Sequence, residues 1–440
     1  MSVNEAIGLV MLLLMVSVIF VGFPIAFTLL FLALAFGYIG LGGMVFDLAF
    51  FQTIGMMKEQ VLAAVPLFIF MGYMTEQAGL MERLFRAFQL ILAPVRGSLY
   101  IGVILTATVF AMATGIVGAA VTVLGIMAAP VMIKSGYSPR LAAGSIAAGG
   151  TLGILIPPSV MLIVMGPVIN VSVAKLYAAT IGPGIMMAGL YISYCLARSF
   201  LNPKLGPPVP MDERATSTWQ MIREFIVGIV PLALLISMTL GTILAGIVTP
   251  TEASAMGSTG AILLAIMYGK FTLKALKNAA FATMVTSSMV LLLAVASNVF
   301  GAVFARLGSA GIITQALVGL PLPPFGTLLI VMALIFLLGW PFEWPAIILV
   351  FLPIFQPVVD ALKFDMVWFG ALVAVNLQTA YLSPPVAMSA YYLKQVVPQW
   401  DLRTIYRGMA DFMVLQVVAL ILVMVFPELA LWFPRWLFDR

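Results

Sequence analysis

Gly149-Gly150-Thr151-Leu152-Gly153-Ile154-Leu155-Ile156-Pro157-Pro158-Ser159 reads as an apolar helix halted by two prolines. Asn376-Leu377-Gln378-Thr379-Ala380-Tyr381-Leu382-Ser383-Pro384-Pro385 repeats that plan, its prolines standing 227 residues after the first pair. Each proline removes an amide donor and crowds the preceding turn, so carbonyls upstream lose their partners. At the same offset Pro130 meets Pro357, Gly149 meets Asn376, Thr151 meets Gln378 and Met161 meets Met388, while Pro24 meets Pro250 at 226. With 27 prolines single coincidences are easy, but a shared register of three, both pairs included, marks an internal repeat. The competing explanation, kinks that serve only packing, would not require a common register.

The surroundings of these segments say where they lie. Of 440 residues, 63% are hydrophobic and 8% charged, and the mean hydropathy is +1.17. Soluble domains carry roughly 25% charged residues, and no soluble core could hide this much apolar surface. Lipid is the solvent, which excludes a soluble enzyme and a nucleic-acid binder. The chain has no histidine, and its one cysteine, Cys195, sits in an apolar run. Histidine-based zinc chemistry, a Ser–His–Asp triad and a disulfide framework are therefore excluded, and the chain is not expected to be an enzyme.

Apolar stretches long enough to cross a bilayer fall near 5–21, 24–41, 60–80, 139–170, 174–200, 222–246, 252–269, 279–305, 365–397 and 404–426. Two more, 98–133 and 325–359, carry Gly- or Pro-rich middles, Met112-Ala113-Thr114-Gly115 and Leu338-Gly339-Trp340-Pro341. Their halves are short for crossing, so each is expected to be a re-entrant hairpin. With the N-terminus outside, only Lys58, Lys175, Arg306, Lys363, Arg435 and Arg440 of the 21 basic residues remain outside. The other fifteen fall inside, as the positive-inside rule demands. The expected fold is all-α and polytopic, an inverted repeat of about ten transmembrane helices plus two re-entrant helical hairpins. Its parts are a first repeat at 1–200, a cytoplasmic linker at 201–221, a second repeat at 222–427 and an interfacial tail at 428–440. The segments 47–58 and 270–278 are expected to be short helices in the membrane interface.

Inverted repeats with paired broken helices point to a secondary transporter whose site lies between the repeats. Carbonyls freed by the prolines need a partner inside lipid, and a bound cation is one. Hydroxyls of Thr114, Thr151, Thr379 and Ser383, with the amides of Asn376 and Gln378, are neutral oxygens suited to Na⁺. For any single hydroxyl, a bond back to its own helix is an equal alternative. Helix N-termini after the breaks offer partial positive charge to an anion. Carboxylates that could carry protons are few. Glu252 caps a helix start, Asp411 lies near the inside face, and Glu343 at the second hairpin tip is the better functional candidate. Proton coupling, a stand-alone anion transporter and, further off, a channel stand as alternatives.

At these residues the chain resembles the large membrane subunit (DctM-like) of tripartite ATP-independent periplasmic, or TRAP, transporters, within the ion-transporter superfamily. Besides the first quoted run, the resemblance rests on Gly136-Tyr137-Ser138-Pro139, Thr249-Pro250-Thr251-Glu252-Ala253, and Asn376 with Ser383-Pro384-Pro385. It implies an elevator mechanism in a bacterial inner membrane, driven by Na⁺, with small organic acids as substrates. It also implies two partners, a small four-helix membrane subunit and a periplasmic substrate-binding protein. Carried residue by residue, it points to Na⁺ at Thr114, Gly115, Gly150, Thr151 and Gly153, and at Gly339, Trp340, Asn376, Thr379 and Ser383. The substrate would meet Thr151, Pro158, Glu343, Gln378 and Thr379. Ala113-Thr114-Gly115-Ile116-Val117-Gly118 departs from the serine-rich sialic-acid branch and is similar to the branch labelled mannitol/chloroaromatic, some of whose members serve 2-oxo acids.

Overall fold

The computed structural model describes residues 2–209, 217–384 and 387–438, apart from the side chains of Ala111, Ala113, Thr114 and Thr218. Among the described residues there are helices and turns and no strand. The first half contains α1 (Val3–Phe20), α2 (Ile25–Leu41), α3 (Met44–Met57), α4 (Ala64–Gln77) and α5 (Leu80–Leu92). It continues through α6 (Ser98–Thr114), α7 (Val117–Lys134), α8 (Pro139–Leu155), α9 (Val160–Val168) and α10 (Val173–Leu201). The second half contains α11 (Trp219–Leu244), α12 (Pro250–Met267), α13 (Leu273–Arg306), α14 (Ser309–Val318) and α15 (Pro324–Leu338). After these come α16 (Trp344–Ala361), α17 (Met366–Leu377), α18 (Met388–Val396), α19 (Leu402–Val425) and α20 (Glu428–Phe438). Helix boundaries recur at the proline offset: α7 and α16 both span 18 residues and start 227 apart, as do the starts of α8 and α17.

Seven of these helices are long and apolar enough to cross a membrane, and nine if the bent pairs α3–α4 and α8–α9 each count as one span. The sequence predicts about ten. The difference arises because α2 and α17 are apolar but short and the polar start of α12 keeps it from qualifying, whereas α7 and α16, predicted as hairpin arms, reach spanning length. Both hairpin segments nonetheless turn back. A Cβ on Gly149 would stand 3.1 Å from Ala107 on α6, and one on neighbouring Gly150 would stand 2.4 Å from Val121 on α7. Residues 107 and 121 flank the tip and meet adjacent positions of α8, so α6 and α7 run side by side. In the second segment α15 sets out from the end of α14, and the Leu352–Ala361 half of α16 packs back on α14.

Two local expectations change. The stretch 270–278 is no separate interfacial helix, because Thr272 caps α13 and the helix runs unbroken for 34 residues. Its counterpart in the first half bends by 58° between Met57 and Gln60, next to Lys58-Glu59 and ahead of Pro66. Residues 273–306 contain no proline, so nothing there interrupts the ladder of amide bonds. The start of the linker is also held. Gly97 donates to Gly206 (2.9 Å), Ser138 to Leu205 (3.0 Å) and Val209 to Ala93 (3.2 Å), a backbone strap across the starts of α6 and α8. Residues 210–216 lie outside the described residues.

The helices form two packed groups. In one, α4 lies against α12 and α13, and α13 also packs on α2 and α3. In the other, α6, α7 and α19 surround α8, and α10 packs on α17, α19 and α20. The α8–α19 crossing is backbone on backbone. A Cβ on Gly144 would stand 2.6 Å from the Gly408 carbonyl, and one on Gly408 would fall 2.0 Å from the Arg140 carbonyl. Small residues at such crossings let membrane helices approach closely. Gly408→Leu is therefore expected to lower the thermal unfolding midpoint of the purified protein, at a cost of about 1–3 kcal/mol or more. Gly189→Ala, where a Cβ meets nothing within 4 Å, is expected to stay within about 1 kcal/mol of the parent.

Candidate functional site

Pro157 and Pro158 stand four residues after Gly153 and Ile154, so neither carbonyl can receive the usual helical bond. The chain breaks between α8 and α9 with a 44° bend, and the Pro157–Pro158 peptide is cis. Ser159 turns its hydroxyl back to the Ile154 carbonyl at 2.6 Å. That leaves the Gly153 carbonyl bare, and the first hairpin tip lies beside it. Gly115 holds φ 61°, a conformation glycine adopts at no steric cost. Its Cβ position is 3.8 Å from the Gly153 oxygen, 3.9 Å from the Pro158 oxygen and 3.6 Å from the Val160 nitrogen.

The second break follows the same logic at the same offset. Pro384 stands four residues after Ala380, the counterpart of Gly153, and the second hairpin tip lies there: a Cβ on Gly339 would be 3.0 Å from the Ala380 Cβ. Asn376 donates to the Met332 carbonyl of α15 at 2.7 Å, tying this hairpin to α17. Among the described residues its Oδ1 has no partner, and neither has either amide atom of Gln378, though both residues are buried. Thr379 and Ser383 bond back to Asn376 and Thr379 carbonyls, each at 2.7 Å. The bare carbonyls and the two amide oxygens are neutral donors of the kind that hold Na⁺ at unwound membrane helices. Among the described residues no three Asp, Glu, Cys or His stand together as a multivalent-metal site.

Other sequence-predicted residues are placed as follows. Thr151 faces away from the hairpin; it donates to Ala148 at 2.8 Å and accepts from Gln416 of α19 at 3.3 Å. The fully buried Tyr191 hydroxyl sits beside the Gln416 and Thr151 side chains, and the Gln416 carbonyl oxygen has no partner among the described residues. Gly150 serves the close approach of α7, as its contact with Val121 shows. Trp340 packs edge-on to Phe336 and lines a surface groove with Val16 and Phe20 rather than facing the breaks. Asp411 is engaged by Arg140 through two bonds of 2.6 and 3.1 Å. Glu252 closes a capping box, accepting from the Thr249 amide at 2.7 Å. Pro385 and the Thr114 side chain lie outside the described residues.

Both hairpin tips open on one cavity of about 530 Å³. Gly115 to Ala119, Ile154 and Val160 line it from the first tip and break, and Glu343, Trp344, Tyr381 and Tyr392 from the second. Across from them stand Tyr73 and Glu76 of α4 and Thr286 and Met289 of α13, with Tyr73 bonded to Thr286 at 3.0 Å. Of the predicted substrate residues only Glu343 lines this space; Thr151, Pro158, Gln378 and Thr379 do not. Sequence reasoning missed Tyr73, Glu76, Tyr381 and Tyr392. Glu76, an isolated carboxylate in the apolar stretch 60–80, was the one legible signal among them.

Because Ser159 donates to the buried Ile154 carbonyl, whose helical donor Pro158 removes, Ser159→Ala is expected to destabilise the protein by about 1–3 kcal/mol. A thermal melt of the purified variant checks this; Ser159→Thr, which keeps the hydroxyl, should recover part of the loss.

The similarity of this chain to known proteins agrees with that arrangement. Residues 10–429 match the family described as "Tripartite ATP-independent periplasmic transporter, DctM component". The sialic acid TRAP transporter large permease protein SiaM of Vibrio cholerae is 30% identical over 426 residues, 95% of this chain and 96% of that protein. The C4-dicarboxylate TRAP transporter large permease protein DctM of Pseudomonas aeruginosa is 28% identical, covering 86% and 87%. The ectoine/5-hydroxyectoine TRAP transporter large permease protein UehC of Ruegeria pomeroyi is 26% identical, covering 97% and 98%. Among solved structures, the Alcanivorax borkumensis YdaH transporter shares the fold, with TM-score 0.61 over 88% of each chain at 15% identity. By the family match and the full-length relatives, this multi-pass membrane chain belongs to the DctM component family of tripartite ATP-independent periplasmic transporters.

Proposed function

We propose that this permease subunit carries a small organic acid inward by Na⁺ symport with an elevator motion. The carrying observation is the pair of residues whose carbonyls the prolines bare, Gly153 with its oxygen beside Gly115 of the first tip and Ala380 with its Cβ against Gly339 of the second. Inside a membrane protein an unpartnered carbonyl costs several kcal/mol. A cation at each tip removes that cost, and the unpaired Asn376 and Gln378 oxygens add ligands at the second. Na⁺ bound there would hold each tip against its break and so order the cavity wall. Substrate affinity then rises with Na⁺, and linkage requires the converse.

The elevator reading draws on how the cavity is divided. Tips and breaks contribute one wall and α4 with α13 the other, so sliding of one group past the other would carry an occupant across. The N-termini of α7 and α9 point amides at the cavity from its first end, where Val117 and Val160 line it. Neither helix has a side-chain cap, which leaves those amides for an anion. Relatives named for sialic acid and C4-dicarboxylate fit an acid substrate. The system would comprise this chain, built of two inverted repeats, a small four-helix subunit and a periplasmic binding protein. It would sit in a bacterial inner membrane with its N-terminus periplasmic, the orientation that puts fifteen of 21 basic residues inside.

In proteoliposomes holding the full complex, replacing external Na⁺ by K⁺ is expected to abolish concentrative uptake. Asn376→Ala and Gln378→Ala are each expected to raise the Na⁺ concentration for half-maximal uptake about tenfold, the loss of one buried polar ligand, at unchanged expression. Undiminished uptake without Na⁺ would end the coupling claim.

A further inference from the structure

The cavity between the hairpin tips is lined by groups of both signs. The uncapped N-terminal turns of α7 and α9 line it, each helix contributing roughly half a positive charge at its N-terminus. Glu76 from α4 and Glu343 from the second tip line it too. Neither carboxylate has a hydrogen bond or ion pair among the described residues, and no Lys or Arg lines this cavity or the adjoining one of about 410 Å³. Tyr381, 9% exposed, lines both spaces, and its hydroxyl has no partner among the described residues. The hydroxyl of a buried tyrosine and two unpaired carboxylates that line one space suit a ligand that donates hydrogen bonds.

Resting on the reading of this chain as a carboxylate permease, we propose that the cavity takes a small monocarboxylate bearing a hydrogen-bond donor or cationic centre at its other end. The carboxylate lies on the amides of α7 and α9. The donor end, a hydroxyl or an ammonium-type group, lies between Glu76 and Glu343 beside Tyr381. A dicarboxylate of similar length is disfavoured, because its second anion would face two carboxylates with no cation to offset them. Glu76 and Glu343 come from opposite walls, so an occupant bridging them also bridges the two surfaces that slide. The titratable groups facing one another here are Glu76, Glu343, Tyr73, Tyr381 and Tyr392.

The test uses the complex of this chain with its small subunit in lipid nanodiscs at saturating Na⁺. Acetate, lactate, glycine betaine and succinate serve as probes, and affinity is read from the shift of the thermal unfolding midpoint. Lactate or betaine is expected to bind at least about tenfold more tightly than succinate at neutral pH. Glu343→Gln and Glu76→Gln should each narrow that gap severalfold by admitting succinate, and Glu343→Asp, which keeps the charge, should preserve it. Succinate binding as tightly as lactate, or a gap unchanged in both Gln variants, overturns the proposal while the carboxylate reading stands. So does succinate binding that tightens as pH falls in the parent but not in the Gln variants, since protons would then occupy the acidic end. If no carboxylate, acetate included, moves the midpoint, it is the carboxylate-permease reading that fails.

Discussion

A backbone carbonyl inside a membrane protein must have a partner, and this chain removes the partner at two chosen places. Pro157-Pro158 and Pro384-Pro385 each strip the amides that a helix would have supplied. Most of the site follows from that constraint. The Ser159 hydroxyl repairs one carbonyl, which takes it away from capping α9 and leaves that helix's amides free. A hairpin tip then lies over the carbonyl that is not repaired. At the second break Gly339 of the other tip packs against the Ala380 Cβ, and the two tips together bound one cavity.

The polar groups of the interior divide by what they touch. Arg140 with Asp411, and Thr249 with Glu252, are satisfied locally and hold helix ends. Asn376, Gln378 and Gln416 are buried with polar atoms that have no partner among the described residues, a costly condition. Unpaired atoms on Asn376 and Gln378 adjoin the second break, whereas Gln416 and Tyr191 lie behind α8 with Thr151. The packing between α8 and α19 is correspondingly plain: the Gly144–Gly408 crossing brings two backbones together where no polar force is available.

Much of this was legible in the sequence wherever the cause is local. A double proline breaks its own helix whatever surrounds it, so both breaks fell where the sequence put them. Both hairpin turns, at Gly115 and Gly339, likewise sit in the Gly-rich middles. Continuity of α13 through 273–278 was missed because mixed polarity suggests an interfacial piece, although no residue there interrupts a helix. The strap formed by residues 205–209 was missed because a Pro-rich stretch gives no sign of which amides will meet it.

By itself, then, the sequence determined the solvent and the broken helices, since hydropathy and proline act on the segment that contains them. Only the tertiary structure decided which side chains face which neighbours. Successive residues on a helix point about 100° apart, so Gly149 meets α6, Gly150 meets α7 and Thr151 turns to α19. The same geometry brought Glu76, far away in sequence, opposite Glu343 across the cavity. Such a juxtaposition depends on how two helix groups pack, and no spacing along the chain encodes it.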